Sequence, residues 1–394
     1  MPELLPVAVD PARLPVFLEA LTAMLEGSGP ALLPYAAGTP EPSTPSGPFP
    51  DDLGIVASTS GSTGPPKRAA LTRANLIASA AATHERLGGP GQWLLALPAH
   101  HIAGMQVLLR SLLARQAPIL LNLDQGFDPA DIGDALAWAP PGRHYTSLVP
   151  VQLQRVLDHA EGARALRTFD AVLIGGASCP PALLAHARSE AINVVTTYGM
   201  SETAGGCVYD GKPLNGTEVH FDDDGRIGLS GPMVAAGYLS QGPANSVFDT
   251  APSGERRFWT DDLGAFENGA LRVLGRRDDL IITGGLKVAP RLVEEAALAL
   301  PGVDDAVAVA TPSDKWGQAV SLAVASDHSL SIAAIREDLR GSLPAHALPT
   351  RLIVLSSLPT RGPGKPDRAA IASMDEWQNW STPRGFTRRS ACPE

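Results

Sequence analysis

The sequence has little cysteine, and what it has is widely scattered. Cys179, Cys207 and Cys392 are the three cysteines of the 394-residue chain, and no two of them form a Cys-x-x-Cys pair. A disulfide framework or a structural zinc site needs an even number of thiols or closely spaced ligands, so this pattern argues against both. Scattered thiols are typical of proteins of the reducing cytoplasm, and we expect that location.

Positive charge, long apolar runs and an export signal are also missing. Lys and Arg number 31 against 41 Asp and Glu, a net charge of −10, which argues against nucleic acid as a partner. The most apolar stretch, residues 94–109, is interrupted by His100 and His101 and is too short to cross a bilayer. Glu3 and Asp10 stand where a signal peptide carries Lys or Arg. We therefore expect neither export nor a membrane span.

The chain does have enough apolar material for a large core. Hydrophobic residues make up 44%, which excludes disorder of the whole chain, and the length predicts two domains, with three as an alternative. Apolar runs alternate with helical patterns as far as Tyr198, which predicts a large α/β domain with a mostly parallel sheet. The predicted strands are 53–58, 93–97, 118–123, 144–149, 171–174 and 193–197, and the predicted helices are 72–87 (capped by Thr72), 102–114, 129–137, 151–159 and 181–189.

The pattern changes beyond Tyr198. Residues 207–276 are rich in turn signals and in β-branched or aromatic runs, and Asn268-Gly269 predicts a hairpin in this β-rich part. After Asp279, strands and helices alternate again over about 100 residues, the size of a small α+β domain. Its predicted helices are 290–300 and 332–339, and its predicted strands are 303–310 and 320–325.

A Ser- and Gly-rich loop directly follows the predicted strand 53–58. Small hydroxyl residues and glycines let the backbone approach an anion closely, and a lysine adds a mobile positive charge. A flexible surface loop and a Walker A loop are the alternatives, but the glycine spacing is too short for a Walker A loop and Arg68 occupies the place of its hydroxyl residue. The pattern favours a different kind of triphosphate-binding loop, formed by Thr59, Ser60, Gly61, Ser62, Thr63, Gly64, Pro65, Pro66 and Lys67.

Two further motifs stand at the ends of neighbouring predicted strands. Ligands of open α/β sheets bind beyond the carboxyl ends of the strands, where glycines would let a flat base lie against the backbone. A tyrosine there could stack on that base, and a single carboxylate suits Mg2+. Each residue alone also has an ordinary structural explanation. The motifs are Gly175, Gly176 and Ala177 in one case, and Tyr198, Gly199, Met200, Ser201, Glu202 and Thr203 in the other.

Three charged residues complete the set of candidates. Asp262 could accept hydrogen bonds from both hydroxyls of a ribose, or it could simply form a turn. Arg276 could contact a nucleotide or form a surface ion pair. Lys365 is one of only five lysines and lies in a rigid Gly-Pro-Gly-Lys-Pro loop, which favours a function over a solvated surface charge.

These motifs appear in a fixed order, with Pro98, Ala99, His100, His101, Ile102, Ala103 and Gly104 between the first two. The ordered set closely resembles the adenylate-forming superfamily of acyl- and aryl-CoA ligases, peptide-synthetase adenylation domains and luciferases, over residues 53–368. The resemblance implies an enzyme that activates a carboxylate with ATP and Mg2+ to give acyl-AMP, and in the ligases passes the acyl group to coenzyme A.

The resemblance also implies roles for individual residues. Lys365 would bridge the substrate carboxylate and the α-phosphate, and His101 would form a gate beside the acid pocket. The loop residues Thr59, Ser60, Gly61, Ser62, Thr63, Gly64 and Lys67 would bind the β- and γ-phosphates; Gly175, Gly176, Ala177, Tyr198 and Gly199 would frame adenine; Ser201 would contact phosphate, Glu202 would bind Mg2+, and Asp262 and Arg276 would hold the ribose.

A domain plan follows from the same motifs. Residues 1–274 would bind ATP and the acid, 275–278 would be a hinge turning at Asp278, 279–372 would be mobile, and 373–394 would be a tail. The chain departs from the family at Asp261, where glycine is usual. Its phosphate loop also starts at residue 59, well before the family's usual position, so we expect residues 1–50 to be only a remnant of the amino-terminal subdomain.

The run of residues 97–114 most resembles the short o-succinylbenzoate–CoA ligases of menaquinone biosynthesis. Their substrate is a dianion, and Arg110, nine positions after His101, would lie near its free carboxylate. An ordinary arginine on an amphipathic helix is equally compatible with that spacing. A ligase for another aryl or fatty acid is the first alternative. A non-catalytic nucleotide-binding protein is the second, although Glu202 and Lys365 together argue against it. The sequence leaves monomer and homodimer open.

Overall fold

The structure is a computed structural model that describes residues 3–45, 49–59, 67–123, 126–239, 243–360 and 366–380. The chain forms two compact units, Met1–Val273 and Leu274–Glu394.

The first unit combines parallel and antiparallel sheets with helices between their strands. Its strands are β1 (Leu4–Val9), β2 (Ala31–Ala36), β3 (Leu53–Ser58), β4 (Arg68–Thr72), β5 (Gln92–Leu95), β6 (Ile119–Leu120), β7 (His144–Leu148), β8 (Ala171–Ile174), β9 (Val194–Met200), β10 (Gly205–Tyr209), β11 (Lys212–Pro213), β12 (Glu218–Phe221), β13 (Arg226–Ser230), β14 (Gly237–Tyr238), β15 (Phe248–Thr250), β16 (Arg256–Glu267) and β17 (Ala270–Arg276). Its helices are α1 (Leu14–Glu26), α2 (Arg73–Arg86), α3 (Ile102–Leu113), α4 (Asp131–Leu136), α5 (Pro150–Leu157), α6 (Ala160–Leu166) and α7 (Pro181–Ser189).

The central sheet of this unit is mostly parallel, as the sequence predicts. Its order is β11-β10-β9-β8-β7-β5-β6, and β9, β8, β7, β5 and β6 run parallel. Helix α2 begins with the predicted cap: the Thr72 hydroxyl accepts a hydrogen bond from the Asn75 amide at 3.1 Å, and the Asn75 side chain accepts one from the Thr72 amide at 2.9 Å. This reciprocal pair satisfies two amides that the first helical turn leaves free.

The amino-terminal residues, predicted to be a remnant of a subdomain, form regular secondary structure in the described ranges 3–45 and 49–59. Strand β1, helix α1 and strand β2 form a β–α–β unit, and β1 pairs parallel to β2 over six residues. These strands extend a second sheet, β1-β2-β3-β4-β14. Helix α1 buries Leu14, Phe17, Leu21 and Met24 in the core, a helical spacing that the short, proline-rich context made easy to overlook.

A third sheet, β12-β13-β16-β15 with β17 beside β16, forms the predicted β-rich part. The predicted hairpin joins β16 to β17 through Asn268 and Gly269, whose φ angles are 52° and 77°. Two successive positive φ angles are the geometry that favours Asn-Gly in a two-residue turn. The division between the two units falls within β17.

In the described residues of the second unit, three helices pack on a six-stranded sheet. Its strands are β18 (Ile281–Thr283), β19 (Leu286–Val288), β20 (Asp305–Ser313), β21 (Gly317–Ala325), β22 (Arg351–Leu355) and β23 (Gln378–Asn379), and its helices are α8 (Pro290–Leu298), α9 (Ile332–Leu339) and α10 (Arg368–Ala372). The sheet order is β19-β18-β21-β22-β23, with β20 beside β21. Residues 378–379, which the sequence assigns to a tail, form the edge strand β23, and Trp377 packs against the core.

Candidate active site

The glycine and tyrosine motifs lie at one edge of the central sheet, where the sequence predicts a site. Gly175 follows β8 directly, Tyr198 lies in β9, and the two strands are parallel neighbours. Glycine is required at two positions for packing within the protein. A Cβ atom on Gly175 would lie 2.2 Å from Thr197 Oγ1, and one on Gly199 would lie 2.1 Å from the Gly205 carbonyl oxygen. The exposed Gly176 and Ala177 leave the outer side of this edge open to a ligand.

Glu202 is a buried carboxylate in the short 3-10 turn Ser201–Thr203 that follows β9. The Tyr238 hydroxyl donates a hydrogen bond of 2.6 Å to Glu202 Oε1. Burial raises the pKa of Glu202, while the hydrogen bond from Tyr238 and the positive charge of Lys67 act in the opposite direction. Lys67 Nζ lies 5.2 Å from the centre of the Tyr238 ring. Strand pairing brings these residues together, because Tyr238 of β14 pairs with Ala69 of β4, two residues after Lys67.

The surroundings of Glu202 fit a magnesium ion carried by a nucleotide. Within the described ranges, no three His, Cys, Asp or Glu side chains come together as a metal cage. Mg2+ is commonly held by one or two carboxylates, water and phosphate oxygens, so one buried carboxylate beside a lysine is a suitable protein contribution. A cation there would also offset the burial of the carboxylate charge.

Asp262 lies in β16 and accepts a hydrogen bond of 2.8 Å from the Tyr198 hydroxyl at Oδ2. Burial, together with this carboxylate, raises the pKa of Tyr198 well above its ordinary value, so the phenol keeps its proton and donates. The Asp262 amide donates to Thr260 Oγ1 at 2.9 Å, which fixes the backbone beside the carboxylate. The structure therefore joins two residues that the sequence assigned to the adenine and ribose positions. Lys67, Tyr198, Glu202, Tyr238 and Asp262 are called the nucleotide cluster below.

Asp261, where the family usually has glycine, forms an ion pair. Its carboxylate pairs with Arg226 at 3.6 Å. It also contributes to raising the pKa values of both Glu202 and Tyr238, although burial is the largest cause for each. The extra negative charge therefore lies close enough to the nucleotide cluster to act on it, and Arg226 compensates part of it.

A backbone hydrogen bond joins the two ends of the predicted phosphate loop. The Thr59 amide donates to the Lys67 carbonyl oxygen at 2.9 Å, and β3 and β4 are antiparallel, with Ser58 opposite Arg68. The loop residues between these ends, Ser60, Gly61, Ser62, Thr63 and Gly64, lie outside the described residues.

Helix α3 carries the residues predicted for the acid. His101 is exposed just before its first turn, and its ring centre lies 4.1 Å from that of His100. Burial and the neighbouring His101 lower the pKa of His100 to about 4. Arg110 lies nine residues further on, about 13 Å along the helix axis at 1.5 Å per residue.

Arg110 is not the ordinary surface arginine that its spacing also allowed. Only 3% of it is exposed, and its guanidinium lies 4.8 Å from the Trp93 ring centre. Its Nη2 donates to the Tyr209 hydroxyl across 3.4 Å, and its Nε has no hydrogen-bond partner in the part of the chain that the structure describes. Among the described residues, no carboxylate forms an ion pair with it. A positive charge is therefore held in the interior with little compensation.

Several neighbours of Arg110 were missed by the sequence analysis. Gln106, one turn earlier and 1% exposed, donates through Nε2 to the Ala204 carbonyl oxygen at 2.8 Å, and its Oε1 has no partner among the described residues. His84 accepts from Trp93 Nε1 at 3.3 Å, and burial with Arg110 lowers its pKa to about 4. The spacing of four between Gln106 and Arg110 was the available signal. His84, Trp93, Gln106, Arg110 and Tyr209 are called the α3 cluster below.

The remaining predicted residues belong to the second unit. Arg276 ends β17, and its guanidinium pairs with the Asp278 carboxylate at 3.5 Å, where both residues are exposed. Asp278 lies in the 3-10 turn Arg277–Asp279. Lys365 lies outside the described residues.

Two family models match the chain. The AMP-binding enzyme model matches residues 12–239, and the AMP-binding enzyme C-terminal domain matches residues 292–365. The chain belongs to the AMP-binding enzyme family, which confirms the resemblance and the fold class predicted from the motifs.

Named relatives make the similarity more specific. The chain is 44% identical to the probable 2-succinylbenzoate–CoA ligase of Mycobacterium tuberculosis strain H37Rv, over 90% of this chain and 94% of the relative. It is 32% identical to the 2-succinylbenzoate–CoA ligase of Listeria monocytogenes, over 80% of this chain and 70% of the relative.

Solved structures agree. The o-succinylbenzoate CoA synthetase (MenE) of Bacillus subtilis in complex with the acyl-adenylate intermediate OSB-AMP matches with a TM-score of 0.72 and 25% identity, over 91% of this chain and 81% of that one. The same enzyme with ATP and a magnesium ion matches with a TM-score of 0.70 and 25% identity, over 89% and 81%. In the part of the chain that the structure describes, every helix is too short or too polar to cross a membrane.

Proposed function

We propose that the protein is an o-succinylbenzoate–CoA ligase that works through an acyl-adenylate, using ATP, Mg2+ and coenzyme A in menaquinone biosynthesis. The relatives named above support the reaction class and the substrate. The observation within this chain that carries the substrate is the buried, uncompensated guanidinium of Arg110.

A buried arginine without an acidic partner is costly, because water no longer solvates its charge. The Trp93 ring and the Tyr209 hydroxyl offset only part of this cost. A carboxylate matches the fork of N–H donors on a guanidinium and can accept two parallel hydrogen bonds from it. The ring carboxylate of o-succinylbenzoate would supply the missing negative charge, whereas a monoanionic aryl or fatty acid would leave Arg110 as it is.

The nucleotide cluster supplies the other half of the reaction. Glu202 would bind Mg2+, which neutralises phosphate charge when bound, and Lys67 would add a positive charge at the base of the phosphate loop. Asp262 would accept hydrogen bonds from the ribose hydroxyls, and Tyr198 donates to the same carboxylate. Gly176 and Ala177 are exposed where β8 ends, next to the strand that carries Tyr198, and the base would lie there.

In the first half-reaction, a carboxylate oxygen of the acid forms a bond to the α-phosphorus of ATP. The bond from that phosphorus to the bridging oxygen breaks, and pyrophosphate leaves with the electron pair. Two anions must meet in this step, so a cation at the junction stabilises the transition state. In this proposal Lys365 is that cation.

In the second half-reaction, the coenzyme A thiol loses its proton to solvent and its sulfur forms a bond to the acyl carbon. The bond from that carbon to the AMP oxygen breaks, and AMP leaves. Lys365 is not needed here, and we propose that the second unit turns about Asp278 to withdraw it. Support comes from the position of Asp278 in a short turn just after β17, the strand in which the two units meet in sequence.

A substrate panel tests the assignment. Purified full-length protein is incubated with ATP, Mg2+, coenzyme A and one of four acids: o-succinylbenzoate, 4-oxo-4-phenylbutanoate (which lacks the ring carboxylate), benzoate or hexanoate. Pyrophosphate release and thioester mass are measured. We expect both products with o-succinylbenzoate and a much lower kcat/KM with the three monoanions.

The other outcomes identify the alternatives. Preferred turnover of benzoate or hexanoate would make the protein a different aryl- or fatty-acid–CoA ligase. ATP binding without turnover of any acid would favour a non-catalytic nucleotide-binding protein.

A cytoplasmic location remains part of the proposal and is supported by the scattered cysteines, of which Cys179 and Cys207 are free thiols.

A further inference from the structure

Both carboxylates of the nucleotide cluster accept a hydrogen bond from a tyrosine that comes from a different sheet. Tyr198 of the central sheet donates to Asp262 of the third sheet at 2.8 Å. Tyr238 of the sheet that contains β3 and β4 donates to Glu202, which follows the central strand β9, at 2.6 Å. The two pairs therefore have the same chemistry but separate partners.

We propose that Tyr198 and Tyr238 are positioning residues that act through their hydroxyls: Tyr198 aims Asp262 at the ribose, and Tyr238 aims Glu202 at the magnesium ion and the phosphates. The proposal rests on the proposed use of Mg2+ and ATP. It goes beyond the adenine contact predicted for Tyr198, and it assigns a role to Tyr238, which carries no predicted role.

A carboxylate has about four acceptor positions, and a phenol occupies one of them. The bond limits the directions in which the carboxylate oxygens point. Without it, the side chain loses one restraint on its rotation, and the freedom gained would be lost again each time a ligand binds. Pre-orientation lowers that cost, and charge-assisted hydrogen bonds are strong enough to provide it.

The backbone around each pair is itself held. The Asp262 amide donates to Thr260 Oγ1, and the Thr260 hydroxyl donates to the Ile227 carbonyl oxygen at 3.0 Å. The Glu202 carbonyl oxygen accepts from the Ala235 amide at 2.8 Å, three residues before Tyr238. With the backbone fixed on both sides, the hydroxyl acts on the direction of each carboxylate.

A purely structural role would also explain one buried and one half-buried phenol, so the test must separate a structural role from a positioning role. We use the holoenzyme with Tyr198→Phe or Tyr238→Phe, which removes one oxygen and keeps each ring. The affinity for ATP, 2′-deoxy-ATP and 3′-deoxy-ATP is measured by calorimetry at saturating Mg2+. The Mg2+ concentration that gives half-maximal pyrophosphate release is measured separately at saturating ATP.

We expect opposite patterns. Tyr198→Phe should reduce the preference for ATP over the deoxy nucleotides by about tenfold, the size of one hydrogen bond to a charged group, and leave the Mg2+ requirement unchanged. Tyr238→Phe should raise the half-maximal Mg2+ concentration by about tenfold and leave the ribose preference unchanged. Tyr145→Phe is the matched control, because it also removes a buried hydroxyl, which donates to the Leu87 and Gly89 carbonyl oxygens; it should change neither quantity.

Several results would overturn the inference. One is an equal loss for ATP and the deoxy nucleotides in Tyr198→Phe, and another is an unchanged Mg2+ requirement in Tyr238→Phe; either would reduce that tyrosine to a structural role. A wild-type protein that binds ATP with no ribose preference would also refute it. The nucleotide measurement needs no acid substrate. Failure to turn over o-succinylbenzoate would therefore refute the proposed function while the role of Tyr198 is still decided.

Discussion

The nucleotide cluster and the α3 cluster lie in the same unit, but they differ in how far their polar groups are satisfied by the protein. In the nucleotide cluster, Glu202 and Asp262 each accept a hydrogen bond from a tyrosine. In the α3 cluster, a donor on Arg110 and an acceptor on Gln106 have no partner within the described ranges, although both side chains are almost fully buried. One cluster is arranged by its own hydrogen bonds, and the other has bonding capacity left over.

Under the proposed function, this difference corresponds to a division of tasks. ATP is common to every member of the family, so residues that bind it can be fixed in advance at little cost to versatility. The acid differs between members, and buried polar groups that only the right acid satisfies give strong discrimination. We therefore expect changes in the catalytic and nucleotide-binding residues to affect all acids alike, and changes in the α3 cluster to affect only the dianion.

The largest effect is expected for Lys365→Ala. Loss of one transition-state donor costs about 2.7–4 kcal/mol, or about 100- to 1,000-fold in kcat. Pyrophosphate release should fall by this factor with every acid that the enzyme uses, while coenzyme A transfer from preformed acyl-AMP should fall much less. Lys315→Ala, an exposed lysine of the same unit, is the control. Equal losses in both half-reactions would contradict withdrawal of Lys365 between them.

A smaller and selective effect is expected for Arg110→Met. A charge-assisted hydrogen bond is worth about 1.5–3 kcal/mol, so kcat/KM for o-succinylbenzoate should fall about 10- to 150-fold. The value for 4-oxo-4-phenylbutanoate, measured in the same assay, should change little. Because the change removes a buried, uncompensated charge, the Tm of the free protein should rise.

Arg110→Lys serves as the matched variant for this prediction. It keeps the charge but lacks the planar fork of donors, so it should retain part of the preference for the dianion. A uniform loss across both acids in Arg110→Met would remove the distinction between the two clusters and place Arg110 among the structural residues of the core.

The smallest effect is a pH dependence of stability at the α3 cluster. Burial and Arg110 lower the pKa of His84 from 6.5 to about 4, so the unfolded chain takes up a proton more readily than the folded protein. This contribution to stability is complete above pH 6.5 and is lost as the pH falls towards 4. The Tm should therefore fall less between pH 7.5 and 4.5 in His84→Gln than in the wild type. The exposed His346→Gln should behave as the wild type, and a wild-type slope in His84→Gln would refute the assignment.

The sequence predicted which residues lie at the carboxyl ends of the central strands, but it did not predict the side-chain contacts between different sheets. Glu202 and Gly175 could be placed at strand ends because strand ends and motifs are local features of the sequence, while their roles stay a prediction. The hydrogen bond between Tyr198 and Asp262 joins residues 64 positions apart in two sheets, and no pattern along the chain encodes such a pairing. The reason for glycine at position 199 also differs from the predicted contact with a base. The nearby Gly205 carbonyl oxygen leaves no space for a Cβ atom there.

The direction of Arg110 could not be read from its spacing for a related reason. Nine residues along a helix fix an angle between two side chains, but the face that enters the core depends on what packs around the helix. Trp93 lies in β5 and Tyr209 in β10. Only the tertiary structure shows that both contact the guanidinium of Arg110. The β–α–β unit at the amino terminus is not predicted from the sequence, because a proline-rich stretch follows its strand β2 closely and is typical of a loop.

The buried positive charge of Arg110, which has no acidic partner among the described residues, also has a consequence for the degradation of the protein in cells. A ligand that binds only the folded state raises its stability by RT ln(1 + [L]/Kd), so at a given concentration the gain is larger for an acid whose pairing with Arg110 lowers its Kd. Degradation in cells follows the population of unfolded chains. Under the proposed function, the lifetime of this enzyme would lengthen when its acid accumulates and shorten when the supply ends, which would match enzyme abundance to demand without any dedicated regulator.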